Sequence, residues 1–180
     1  MEKSIYHAKL DPKYQQPFVD LEEKRERCLP DGTVLPYLYV HGGFEGTGLK
    51  FAISFPEKAA FEGRFFQYLS PFPGPDEELA SQTKQGEDDI ITFSLLHGGY
   101  FLETNMESGA AFGGMPDNTV VWKSSAAAAE YSRVKAMELY GCAQPGVYYA
   151  AVRVKANRKG DENDLFTQVK NIARAKIIVE

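Results

Sequence analysis

Trp122-Lys123-Ser124-Ser125-Ala126-Ala127-Ala128-Ala129-Glu130-Tyr131-Ser132-Arg133 lies within a run from about Thr119 to Tyr140 that reads as one long helix. Asn118 is the expected N-cap, and Gly141 the expected residue just past the C-terminus. At about 100° per residue, Ser125, Ala128, Ala129, Ser132, Ala136 and Leu139 share one face. Nearly all are small, so the helix axis can come close to a sheet. Lys123, Glu130, Lys135 and Glu138 mark the solvent side. Tyr131, Val134 and Met137 lie toward that side too, which leaves room for a second partner there.

The sheet this helix needs is expected upstream. Asp31-Gly32 signals a turn, and Val34 to Val40 is strand-like until His41-Gly42-Gly43 breaks the run. Leu49, Phe51, Ile53 and Phe55 alternate along a second strand that Pro56 should end. Gly63 to Leu69 is a third strand and Tyr100 to Met106 a fourth. Between those two, Ser70 to Pro75 is a loop, residues 76–89 are acidic and polar, and Leu79 to Lys84 suits a short helix. Ile90 to Leu96 fits either a helix or an extended segment, and Gly109 to Pro116 is loop-like.

Residues 1–33 are expected to be a polar lead-in, with Glu22 to Arg27 a solvated helical turn. After Gly141 the pattern changes. Gly146 to Ala156 alternates, Asn157 to Leu165 is a charged loop, and Ala173 to Val179 alternates again. That is a long-looped β-hairpin. Alone in water such a hairpin is marginal and needs something to pack on.

Composition narrows the function classes. The 180 residues are 43% hydrophobic and 25% charged, within the range of folded domains. Aromatics reach 13%, which first of all serves core packing and also supplies surface for sugar or aryl ligands. The net charge of −5, with no basic stripe, argues against nucleic acid and anionic membranes as partners. No apolar run has membrane-span length and no signal peptide is visible, so the compartment stays unassigned. Cys28 and Cys142 leave one disulfide and two free thiols both open.

Three stretches carry a family resemblance: Glu62 to Leu69, Gly98 to Asn105, and Trp122 to Gly141. In order and spacing, residues from about 34 to 141 resemble the N-terminal half of α/β-hydrolases of the tannase and feruloyl-esterase kind. The resemblance implies a strand before an oxyanion loop, the strand that follows, and the helix before the nucleophile strand. It places the oxyanion-loop-like residues at Ser70, Phe72 and Gly74. It also implies an ester or carbohydrate ligand, and relatives that are often secreted. The family pattern then requires a Gly-x-Ser-x-Gly elbow, with serine on a sharp strand-to-helix turn. No such motif occurs anywhere in this chain.

The segment after Cys142 instead resembles the last two strands of a PKD-like or immunoglobulin-like sandwich. An internal deletion with its junction near 141–146 accounts for both resemblances. The expected architecture is therefore α/β: a partial hydrolase-like sheet with one major helix over 34–141, a lead-in over 1–33, and a hairpin over 142–180. The hairpin edge is a candidate surface for self-association.

Candidate site residues are few. His41 and His97 each begin a His-Gly-Gly triplet, which is first of all a Gly-rich turn and also a motif found in esterase oxyanion holes. Neither is placed late in the chain, where the family keeps its histidine. Ser124 and Ser125 fall inside a helix, and Pro71 bars a regular elbow helix after Ser70. No catalytic set is assigned. The acidic runs Asp76-Glu77-Glu78 and Glu87-Asp88-Asp89 lack metal-ligand spacing and are expected to be solvated loops, so neither metal nor cofactor is assigned. One arrangement would make a small enzyme of the chain: His41 or His97 beside Ser70 and an aspartate.

Overall fold

In the computed structural model, the described residues are 7–69, 77–78, 89–107, 117–141, 147–152 and 173–178, the last two stretches as backbone. The chain divides into two units, Met1–Ala143 and Gln144–Glu180.

The first unit is built on a five-stranded mixed sheet. Its strands are β1 (Pro17–Cys28), β2 (Val34–Phe44), β3 (Lys50–Pro56), β4 (Arg64–Gln67) and β5 (Gly99–Thr104). They lie in the order β1-β2-β3-β5-β4. The first three junctions are antiparallel and β5 with β4 is parallel. Parallel neighbours require a crossover, and α1 (Ile90–Leu96) lies within it. The long helix α2 (Asn118–Tyr140) follows β5.

The two helices cover opposite faces. Ile91 and Leu95 of α1 join Tyr37, Tyr39, Ala52 and Phe101. Ala127, Ala128, Ala136 and Tyr140 of α2 join Val40, Leu49, Phe51, Ile53, Phe55, Tyr100 and Leu102. Leu49, Phe51, Ile53 and Phe55 thus do share one face, under α2. Covered on both sides, β5 is buried along its whole length, as expected of a strand inside a two-faced sheet.

The buried side of α2 carries Ser124, Ser125, Ala127, Ala128, Ser132 and Ala136. Their small volume is matched by rings rising from the sheet. Tyr131 packs on Phe51 with centroids 5.1 Å apart, and Tyr140 stacks on Phe61 at 3.8 Å. The Tyr140 hydroxyl donates to the Pro56 carbonyl at 2.7 Å, satisfying a polar tip inside an apolar layer. Asp117, not Asn118, is the N-cap of α2: its carboxylate accepts from the Thr119 N–H at 2.8 Å. Gly141 ends the helix in the left-handed region at φ +72°, where a side chain is strained.

Three expectations are corrected. Glu22 to Arg27 is neither helical nor a loose lead-in; it belongs to edge strand β1, paired with β2 along its length. The run lacks a helical apolar stripe, and alternation sends Glu23 and Arg25 over the tyrosines of β2 at Tyr39 and Tyr37. Charged side chains also guard an edge strand against unwanted pairing. Nor are residues ahead of β1 detached. Of two 3₁₀ turns, Ala8–Leu10 docks on α2, where the Glu130 carboxylate accepts from the Ala8 and Lys9 N–H groups at 2.9 Å each, and Pro12–Tyr14 sets the Tyr14 ring edge-on to Phe44 of β2 at 5.9 Å. The first turn covers Glu130 on the polar side of α2, while Val134 and Met137 stay exposed.

Second, His41-Gly42-Gly43 does not break β2, which runs on to Phe44. The glycines serve close approach. A Cβ on Gly42 would lie 2.0 Å from the Phe18 carbonyl oxygen, and one on Gly43 2.6 Å from that of Leu49. Third, Tyr131 does not lie toward the solvent side of α2 but packs on Phe51. Ile90 to Leu96, open between a helix and an extended segment, is the short helix α1. Asp89 caps it, accepting from the Thr92 N–H at 2.9 Å.

In the second unit, β6 (Val147–Val152) pairs antiparallel with β7 (Ala173–Ile178), with Val147 opposite Ile178 and Val152 opposite Ala173. The expected Leu79 to Lys84 helix, the Gly109 to Pro116 and Asn157 to Leu165 loops, and Cys142 lie outside the described residues. Cys28 is a free, exposed thiol.

Candidate functional site

The most concentrated polar chemistry among the described residues sits on the α1 side of β1 and β2. Alternation along β2 puts Tyr37, Tyr39 and His41 on this face. A register shift between Val19 and Leu21 in β1 marks an irregularity beside His41. Bulges of this kind re-aim side chains, and Asp20 sits at this one. The Asp20 carboxylate lies 2.5 Å from Nδ1 of His41. Glu77 reaches the other ring nitrogen, with its Oε1 2.8 Å from Nε2.

Adjacent groups extend the cluster. The Tyr39 ring stacks alongside the His41 imidazole at 6.5 Å and 12°. Its hydroxyl donates to Glu78, and the Arg25 guanidinium lies 3.4 Å from the ring centroid. Arg25 also approaches Glu78 at 3.7 Å and bonds Glu23 at 2.6 Å.

The electrostatics follow from these contacts. Burial by itself would lower the His41 pKa, but its bonds to Glu77 and Asp20 outweigh burial and hold it above the ordinary imidazole value. The Asp20 carboxyl is held below its ordinary value, chiefly by the hydrogen bond to His41. Burial and the bond to Glu78 push the Tyr39 phenol far above its ordinary range.

Both ring nitrogens of His41 are engaged by carboxylates. A catalytic imidazole needs one nitrogen with a lone pair aimed at the proton it removes. Both His41 nitrogens face carboxylates instead, and neither makes a hydrogen bond to a serine hydroxyl among the described residues. Asp20 does lie beside His41, one element of the small-enzyme arrangement. Ser70, together with Phe72 and Gly74, lies outside the described residues.

His97 has a different task. It is the C-cap of α1, its Nδ1 lies 2.7 Å from the Phe93 carbonyl, and its ring stacks on Phe93 at 4.1 Å. Gly98 follows at φ +62° to let the chain turn into β5. The second His-Gly-Gly triplet is therefore a helix stop. Ser124 and Ser125 are buried in α2, and both hydroxyls donate back to the Val121 carbonyl, at 3.0 and 2.8 Å.

Glu77, Glu78 and Asp89, the described members of the acidic runs, also differ from expectation. Glu77 and Glu78 bond to His41 and Tyr39, while Asp89 caps α1 and lies 3.8 Å from Arg27. These carboxylates are engaged rather than simply hydrated. Among the described residues, no group of three or more His, Cys, Asp or Glu side chains could hold a metal ion. None of the described helices is long and apolar enough to cross a membrane.

Sequence reasoning singled out His41 but missed Asp20, Arg25 and Tyr39 as its surroundings. Asp20 stands 21 residues before His41 and Glu77 36 after, and no local motif links them. The one usable signal was the period-two run Tyr37, Tyr39, His41, which puts all three on a single strand face. Set against known proteins, the chain finds no match among family models, curated proteins or solved structures.

Proposed function

We propose that this chain is an esterase-related, α/β-hydrolase-like protein that lacks the nucleophile elbow and does not turn over esters. The supporting observation is the order of elements after β3. Strand β4, a connection, helix α1, a parallel strand β5 and the long helix α2 follow one another. The resemblance calls for that succession: a strand, an oxyanion loop, the next strand, then the helix before the nucleophile strand. In such enzymes an N–H of the loop after the third strand helps bind the oxyanion. Beyond Gly141, however, the chain has no Gly-x-Ser-x-Gly, and acyl transfer on this scaffold depends on that serine. Placing both His41 nitrogens against carboxylates fits the same reading. The expected result is no hydrolysis of p-nitrophenyl acetate or feruloyl esters above background. Saturable hydrolysis that is lost in Ser70→Ala or His41→Gln would overturn the proposal.

A second reading, a binding module, draws on the β6–β7 ribbon. Among the described residues this sheet has two strands, and an uncovered strand edge can pair with another strand. Size-exclusion chromatography should then show concentration-dependent association through this edge. A strictly monomeric particle at all concentrations counts against it.

A further inference from the structure

We propose that His41 is a pH-sensitive fastener: as an imidazolium clamped between Asp20 and Glu77, it ties the Glu77–Glu78 segment to the β1–β2 ribbon, and losing its proton releases that tie. The argument rests first on hydrogen-bond inventory. An ionised carboxylate only accepts. To bond Asp20 at 2.5 Å and Glu77 at 2.8 Å together, the ring must donate from both nitrogens. Only the imidazolium can do so, since the neutral ring has a single N–H. On deprotonation one bond is lost, and two carboxylates then flank a ring with no charge between them.

Glu77 is the partner that lets go. Asp20 is carried by β1, which is paired with β2 on both sides of its bulge. It also feels the charge of Lys50 on β3. Glu77 has no such sheet anchor. Its neighbour Glu78 is held by the Tyr39 hydroxyl and Arg25.

The other charged and titratable groups on this face are Glu23 and Arg25 of β1 and Tyr37 and Tyr39 of β2. Farther along it is the Arg27–Asp89 pair. The bond to Glu23, against the opposing effect of burial, holds Arg25 above its ordinary value. Tyr39 is held up as well. Neither changes charge where His41 does.

The sign of the linkage follows. Because the folded His41 value is raised, its stabilisation is complete below the unfolded value and disappears as pH rises through the folded one. For Asp20, whose value is lowered, stabilisation is present above the unfolded value and disappears as pH falls through the folded one. The fastener is closed between those two limits.

Nitrogen NMR of the His41 ring in the full chain, with backbone order parameters of Glu77 and Glu78 across the same pH range, tests this. The wild-type ring should stay protonated above about pH 6.5, the ordinary midpoint. Across its own midpoint, the order of Glu77 should drop from about 0.8 toward 0.6, with a smaller drop at Glu78, which Tyr39 and Arg25 still hold. In Glu77→Gln the midpoint should move down toward the ordinary value and the drop should vanish. In His41→Gln the segment should show low order at every pH. A wild-type midpoint at or below the ordinary value, or unchanged order on both sides of it, overturns the proposal. The wild-type titration decides even if a variant fails to fold.

Discussion

Phe51→Ala is expected to destabilise the Met1–Ala143 unit by about 4 kcal/mol, in the range for removing a fully buried ring. Phe51 is 0% exposed and sits between the sheet and α2. Its ring contacts Phe44 on β2 and Tyr131 on α2, at 6.1 and 5.1 Å. The neighbouring α2 residues Ala127 and Ala128 are too short to reach into the space the ring leaves. The vacancy therefore stays open, and the cavity cost adds to the lost burial. Thermal unfolding should show a midpoint lower by roughly 10 °C. A shift of only one or two degrees would mean that the ring is not shared between sheet and helix as described.

Gly42→Ala should cost about 3 kcal/mol or more, although it adds only one methyl group. The new Cβ would meet the Phe18 carbonyl oxygen at 2.0 Å and the tip of the Phe51 ring at 2.8 Å. A ring can tilt away, but the carbonyl belongs to β1 and is fixed by strand pairing. Trimming Phe51 in the same chain should therefore fail to rescue Gly42→Ala. Denaturant unfolding of the single and double variants reads this directly. Recovery in the double variant would show that the ring, not the backbone, makes the glycine necessary.

The strand β3 and the helix α2 were legible through their own periodicity, and β2, β4 and β5 as apolar or aromatic runs bounded by Gly, Asp-Gly and loop signals. Leu49 to Phe55 alternates, and the small residues from Ser125 to Ala136 recur at helical spacing. Strand β1 was not legible. Its charged run has no apolar alternation of its own, and it becomes a strand through pairing with β2 and the turn at Gly32, where φ is +86°. His41-Gly42-Gly43 was misread because glycine marks turns and close approaches alike. Only the position of Phe18 distinguishes the two. The His41 cluster was out of reach for a similar reason, since its partners come from a bulge on one side and a distant segment on the other.

The division of volume between α2 and the sheet has a consequence for how this domain can vary. Helix positions such as Ala128 and Ser132, both fully buried, have already been reduced nearly to the backbone. Any enlargement there must push a whole layer outward. Ring positions in the strands can exchange one aromatic for another while the spacing holds. Sequence drift should therefore run through the strands, with the helix acting as the fixed gauge against which each exchange is measured.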